Sequence, residues 1–172
     1  QAAGLRGVKQ LRWAAEHMTG QTASPFEVQT SMLVSLPRNE GGMGINIANN
    51  VRIPLSDAAR SLYDKTCCYA DILIESSTDS MGVILECHDS EAASLSDAER
   101  TTALTSMGYD AIQITYDQIK DTKSFNSIDE LIHKKAGLPY VPKSKLELTA
   151  AETLRRELLV DWDELFTVTS AG

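Results

Sequence analysis

Apolar residues recur at helical spacing in several stretches of the chain. Segment 24–36 opens with Ser-Pro-x-Glu, in which Ser is an N-cap, Pro the first helical residue and Glu the end of a capping box. Its apolar positions predict a helix that ends before Pro37. A second helix is predicted from Ser96 to Met107, because Gly108 is typical of the residue that ends a helix. Residues 5–18 also have a helical pattern.

Dense Ile, Leu and Val runs between these helices predict four strands, at Ile45–Ile53, Tyr69–Glu75, Met81–Cys87 and Tyr109–Thr115. The polar loop 76–80 joins the second and third strands as a hairpin. The helix between the third and fourth strands implies a crossover connection. We therefore predict an α/β fold with a mixed sheet flanked by helices.

The last third of the chain is predicted to be helical. Capping boxes predict helix starts at Thr115, Ser127 and Thr149, and Leu138–Pro142 reads as a linker. Leu154 and Leu158 lie on one face of the last helix, which would pack on the core or on a second copy in a homodimer. The domains expected are a helical lead-in (1–23), a core (24–137), and a linker with a C-terminal helix (138–172).

Composition limits the classes of function. The 172 residues carry 16 basic and 24 acidic side chains, a net charge of −8, which disfavours non-specific binding to duplex DNA. Three cysteines without CxxC spacing favour reduced thiols in a cytoplasmic protein, and no apolar run is long enough to span a membrane. Because residue 1 is Gln, we expect a missing N-terminal domain.

Acidic residues accumulate where basic ones are absent. Between Thr66 and Glu99 there is no Lys or Arg. Eight carboxylates occupy this stretch: Asp71, Glu75, Asp79, Glu86, Asp89, Glu91, Asp97 and Glu99. They form either a solvated face or part of a cation site. Exposure to water alone accounts for four of them, Glu75, Asp79, Glu91 and Asp97.

Asp71 and Glu86 differ from the other acids in their place on the hairpin. If the hairpin turns symmetrically about residues 78 and 79, these two carboxylates lie directly opposite each other on one face. Two negative charges that close need a compensating cation, and carboxylate oxygens suit Mg²⁺ or Mn²⁺. Strand alternation adds His88, with Tyr69 opposite it, to the same face. The alternative is a polar hairpin face open to water.

Single residues of this set also have ordinary interpretations. His88 is equally consistent with an edge-of-strand histidine, and the capping box alone accounts for Glu27. Arg100 follows the hairpin on a helix, where a surface arginine is common. It is also the only Lys or Arg between residues 66 and 119.

The ordered motifs resemble the PD-(D/E)XK nuclease superfamily, and more closely the Vsr-like (very-short-patch-repair-like) endonuclease-related proteins. The resemblance covers about residues 24–137. The motifs that carry it are Ser24-Pro25-Phe26-Glu27, Tyr69-Ala70-Asp71, Val83-Ile84-Leu85-Glu86-Cys87-His88, Asp97-Ala98-Glu99-Arg100, Leu104 and Gly108-Tyr109. The resemblance implies a restriction-endonuclease-like αβββαβ core and a Mg²⁺-dependent (or Mn²⁺-dependent) phosphodiesterase.

Carried over by position, the resemblance assigns roles to individual residues. Asp71 and Glu86 would hold the metal, and His88 stands at the third position, where relatives have Lys or Asp. Glu27 would be the first-helix acid. Gln113 stands where relatives often have Arg, and we assign Arg100 to the phosphate.

Two functions stay open at this point. The first is a metal-dependent nuclease in which His88 is the base or a third ligand. The second is a non-catalytic regulatory or interaction module, since some related chains belong to abortive-infection antitoxin-like proteins. The absence of a Lys at position 88 and the acidic charge favour the second, whereas the pairing of Asp71 with Glu86 favours the first.

Overall fold

A computed structural model describes residues 24–88 and 95–159 of the chain. The predicted helix at 5–18, the lead-in 1–23, the acids Asp89 and Glu91, and residues 160–172 lie outside the described residues. Within the described ranges, no helix combines the length and apolar character needed to cross a bilayer.

Four strands form one mixed sheet in the order β1-β2-β3-β4. Strand β1 is Ala48–Pro54, β2 is Cys67–Ile74, β3 is Gly82–His88 and β4 is Tyr109–Thr115. The pairs β1–β2 and β2–β3 are antiparallel, and β3–β4 is parallel. The predicted α/β fold with a mixed sheet and a crossover is confirmed.

Helices cover both faces of the sheet. In chain order they are α1 (Pro25–Ser35), α2 (Asp57–Arg60), α3 (Leu95–Ser106), α4 (Tyr116–Lys120), α5 (Thr122–Ala136) and α6 (Lys145–Leu158), with a 3₁₀ turn at Arg38–Glu40. Helices α1, α4, α5 and α6 contribute to the larger apolar cluster, and α2 and α3 to the smaller one. On β3, Leu85 belongs to the larger cluster and Ile84 to the smaller, as alternation requires.

The predicted boundaries of α1 and α3 agree closely with the structure. The Ser24 hydroxyl accepts a hydrogen bond from the Glu27 N–H at 3.2 Å, which is the expected N-cap. After the end of α3, the chain turns into β4 at Gly108, whose φ of 89° is left-handed. The strand predicted from Ile45 starts at Ala48, and the short elements Arg38–Glu40 and α2 were not predicted.

Two predicted helix starts are wrong. Helix α5 begins at Thr122, not Ser127, because the Asp121 carboxylate caps it by accepting from the Ser124 N–H at 2.7 Å. The Ser127 hydroxyl instead donates to a carbonyl of the preceding turn.

Helix α6 begins at Lys145, not Thr149. The Ser144 and Glu147 side chains form a complete capping box there. Of the two surfaces considered for its apolar face, the structure shows the core: Leu154 belongs to the larger apolar cluster, and Leu158 packs against it.

Two polar clusters fasten the linker and α6 to the core. The Arg38 guanidinium contacts Glu147 Oε1 at 2.8 Å and donates to the Val141 carbonyl at 2.9 Å. This ion pair lowers the pKa of Glu147 to about 2.

The second cluster is buried. The Lys143 ammonium pairs with Asp129 Oδ2, and His133 Nδ1 lies 3.0 Å from Asp129 Oδ1. Because both Asp129 and the Lys143 side chain are buried, this pair ties the linker to α5 through the interior.

Candidate functional site

The candidate site lies where β2 changes the face towards which its side chains point. Ala70 packs in the smaller cluster, whereas Ile72, two residues later, packs in the larger one. A regular strand returns to the same face every second residue, so the alternation is interrupted at Asp71. On β1 the matching position is Asn50, whose φ of 49° is left-handed.

Asp71 contacts β3 through its side chain. The pairing Ile72↔Leu85 has the register that the sequence predicted, and Asp71 and Glu86 come directly after the last paired residues of β2 and β3. The Cys87 N–H donates to Asp71 Oδ2 at 2.8 Å. The carboxylate therefore accepts a hydrogen bond from the main chain of β3 at the point where the described pairing of β2 with β3 ends.

A guanidinium lies between the two carboxylates. Arg100, on α3, pairs through Nη2 with Glu86 Oε2, and the same nitrogen is 3.9 Å from Asp71 Oδ1. It also donates to the Tyr69 carbonyl at 2.8 Å. The cation that compensates these acids in the structure is thus an arginine of the chain itself.

Burial dominates the electrostatics of the site. The Glu86 side chain is 5% exposed, and burial raises its pKa to about 7 although Arg100 opposes the shift. Burial also raises the pKa of Asp71, with a contribution from Glu27. The Cys87 N–H, Arg100 and His88 act in the opposite direction on Asp71.

One oxygen of Glu86 and one nitrogen of Arg100 have no hydrogen-bond partner. Glu86 Oε1 is buried and accepts no hydrogen bond, and Arg100 Nε is buried and donates none. A buried polar atom without a partner costs free energy, so each of these atoms keeps a hydrogen-bonding capacity that the described residues do not use.

The structure brings some of the other predicted residues to this site. Glu27, on α1, is 8% exposed and close enough to affect the pKa of Asp71. His88 is half-buried at the end of β3 and pairs in register with Thr115 of β4. Gln113 is exposed on β4 and pairs in register with Glu86.

The cysteines near the site remain thiols. Cys67, Cys68 and Cys87 are all free. Burial raises the pKa of the Cys87 thiol far above neutrality, and burial also raises that of Cys68. A thiolate is the form that ligates metals or attacks a substrate, so Cys68 and Cys87 are poor candidates for either role.

Sequence reasoning missed the main-chain groups of the site. The Cys87 N–H and the Tyr69 carbonyl hold Asp71 and Arg100, and no residue pattern reveals such groups. It also left open the position of Arg100, because the rotation of α3 about its axis decides which side chain reaches Glu86.

The raised pKa of Glu86 makes the stability of the fold depend on pH. A glutamate in the unfolded chain titrates near 4.5, so between pH 4.5 and about 7 the folded state keeps a proton that the unfolded state has lost. Stability falls as pH rises through this window, by on the order of 3 kcal/mol. We expect Glu86→Gln to remove this loss and to be more stable than the parent near pH 8, as measured by urea unfolding across the window.

The matched control is Glu75→Gln, which removes the charge of an exposed acid just after β2. It should keep the pH profile of the parent. A Glu86→Gln profile with the same decline as the parent would contradict the raised pKa of Glu86.

Comparison of the chain with protein-family models, with curated proteins and with solved structures finds no match. The site therefore has to be interpreted from its own geometry. Among the described residues, no group of three or more His, Cys, Asp or Glu side chains is arranged to hold a metal ion.

Proposed function

We propose that this chain is a divalent-metal-dependent nuclease domain that hydrolyses DNA phosphodiester bonds. The observation that carries the proposal is the pair of largely buried carboxylates, Asp71 and Glu86, on adjacent strands, with Glu86 Oε1 lacking any partner. Buried acids with raised pKa values concentrate at functional sites.

The residues present fit Mg²⁺ or Mn²⁺. Mg²⁺ commonly takes one or two protein carboxylates and completes its octahedral shell with water and substrate phosphate. Asp71 and Glu86 supply such a pair, and water and phosphate would fill the other positions. A bound ion supplies Lewis-acid stabilisation of the phosphate and a more acidic water.

The remaining side chains have roles that follow from their positions. His88 accepts a proton from the attacking water, since histidine is the side chain that most often serves as a general base. Arg100 neutralises charge on the phosphate, and Glu27 adds negative charge near Asp71 from α1. Gln113, exposed on β4 beside the position of Glu86, contacts the substrate backbone.

Partners and location follow from this activity. The net charge of −8 gives little affinity for DNA, so we propose that a basic surface outside this chain holds the substrate. Free cysteines suit a cytoplasmic nuclease, and a homodimer would place two sites on one duplex.

A second candidate function is a non-catalytic interaction or regulatory module. It is favoured by the Arg100 guanidinium, which already neutralises the acids, and by His88 at the position where the Vsr-like proteins that the motifs resemble carry Lys or Asp. A chain of this kind would keep the fold without binding metal, because fold alone does not specify function.

Cleavage assays with substitutions at His88 separate these functions. Parent, His88→Ala and His88→Lys are incubated with Mn²⁺ and with single-stranded DNA, duplex DNA or RNA. We expect Mn²⁺-dependent cleavage of DNA by the parent and a loss of about tenfold or more in His88→Ala, since general base catalysis contributes at least that much.

The His88→Lys variant tests whether the chain lacks only the lysine at the third motif position. Cleavage by His88→Lys but not by the parent would mean that the nuclease chemistry survives in the scaffold without its lysine. If parent and His88→Lys are both inert and neither binds Mn²⁺, the nuclease proposal fails in favour of the interaction module.

A further inference from the structure

The ion pair between Arg100 and Glu86 is one-sided. A guanidinium and a carboxylate can form two parallel hydrogen bonds, which is their strongest arrangement. Here Nη2 contacts Oε2, while Arg100 Nε and Glu86 Oε1 are buried without partners. The two groups therefore leave part of their bonding capacity unused.

The position of Arg100 also allows its guanidinium to move away from Glu86. Its side chain is 21% exposed, compared with 5% for Glu86, so the arginine has more access to solvent than the carboxylate. Its side chain also donates a hydrogen bond to the Tyr69 carbonyl, on an exposed residue of β2, and lies 3.9 Å from Asp71 Oδ1. A change of side-chain torsions moves the guanidinium without moving helix α3.

We propose that Arg100 is a displaceable internal cation that occupies the place of the metal and turns to the substrate phosphate when a divalent ion binds. This inference rests on the proposed function. A divalent cation satisfies both oxygens of Glu86 together with Asp71, and a phosphate satisfies both the Nε and the Nη2 of Arg100. Arg100 thus lowers the affinity for metal until metal and substrate are present together.

Metal affinity is the first test. Mn²⁺ binding is measured by titration calorimetry on the parent, on Arg100→Gln and on the control Arg60→Gln. The control removes the same charge from an exposed arginine of α2 that pairs only with exposed Asp57. We expect Arg100→Gln to bind Mn²⁺ at least about tenfold more tightly than the parent, since a positive charge in contact with the site is gone. Arg60→Gln should stay within about twofold, because solvent screens exposed charges.

Unchanged or weaker Mn²⁺ affinity in Arg100→Gln would overturn the inference, as would an equal gain in Arg60→Gln. A second measurement uses the parent and does not depend on the folding of a variant. In ¹H–¹⁵N spectra recorded during a Mg²⁺ titration, the Arg100 side-chain Nε–H resonance should move and the Arg60 resonance should not. An Arg100 resonance that stays in place while Mg²⁺ raises the melting temperature would also overturn it.

Activity separates this inference from the function on which it rests. Arg100→Gln should bind Mn²⁺ more tightly and yet cleave DNA more slowly, because the phosphate has lost its arginine. If Arg100→Gln binds Mn²⁺ more tightly than the parent but neither protein cleaves, the displacement of Arg100 from Glu86 by metal is supported and the nuclease function fails. If the parent cleaves and Arg100→Gln gains no affinity for Mn²⁺, the nuclease function is supported and the displacement of Arg100 by metal fails. Absence of Mn²⁺ binding in both proteins overturns both.

Discussion

Replacing Asp129 with alanine should lower the free energy of unfolding by about 3–5 kcal/mol, because it leaves the Lys143 ammonium buried without a counter-charge. The Lys143 side chain is 3% exposed and Asp129 is fully enclosed, so water cannot replace the lost carboxylate. The same change removes a contact of His133. Urea denaturation of parent and variant measures the loss.

The chain offers a matched control for this prediction. Asp110 and Lys135 also form an ion pair, at 2.5 Å, but both side chains are about one-third exposed. Asp110→Ala should cost about 1 kcal/mol or less, as exposed pairs do. Adding Lys143→Met to Asp129→Ala should recover most of the loss, since the stranded charge is gone. A cost for Asp129→Ala no larger than that for Asp110→Ala would contradict the structural role of the buried pair.

Replacing Asp71 with asparagine should abolish stabilisation by Mn²⁺ and reduce DNA cleavage by at least about a hundredfold. The amide oxygen can still accept the hydrogen bond from the Cys87 N–H, so the fold is retained. What is lost is one of the two anionic side chains that we propose as metal ligands, and with it the charge that would hold a hard cation. Melting curves with and without Mn²⁺, together with cleavage rates, measure the effect.

Asp79→Asn is the control for Asp71→Asn, because it removes an exposed acid from the loop of the same hairpin. It should keep both the metal response and the activity of the parent. An Asp71→Asn protein that melts higher in Mn²⁺ by as much as the parent would show that the ion binds elsewhere.

The sequence predicts the hairpin and its register because local signals determine both. A short polar loop between two apolar runs leaves little freedom in the pairing, and Ile72 duly lies opposite Leu85. The start of β4 is equally local, since Gly108 ends α3 and an apolar run follows at once. The same register led to the prediction that Asp71 lies near Glu86, and in the structure both carboxylates lie within 4 Å of the Arg100 guanidinium.

The two helix starts that were predicted wrongly show where two capping signals lie close together in the sequence. Both Asp121 and Ser127 can cap a helix, and the earlier one prevails because no breaking residue lies between them. In the same way the capping box at Ser144 precedes the one predicted at Thr149. A sequence pattern lists the candidate caps, and packing of the whole apolar face selects among them.

Contacts between distant segments could not be predicted at all. The sequence marks Arg100 as an isolated cation, but its meeting with Glu86 depends on how α3 crosses the sheet. Lys143 reaches Asp129 from a linker whose path is set by Arg38 and Glu147. Such pairs depend on tertiary packing, which no spacing along the chain encodes.

The most direct test of the central claim is anomalous X-ray diffraction from crystals of the parent protein grown with saturating Mn²⁺. Our account predicts an anomalous peak bonded to carboxylate oxygens of both Asp71 and Glu86, with the Arg100 guanidinium moved away from Glu86. A Glu86 carboxylate still paired with Arg100, with no peak between Asp71 and Glu86 at saturating Mn²⁺, would contradict it.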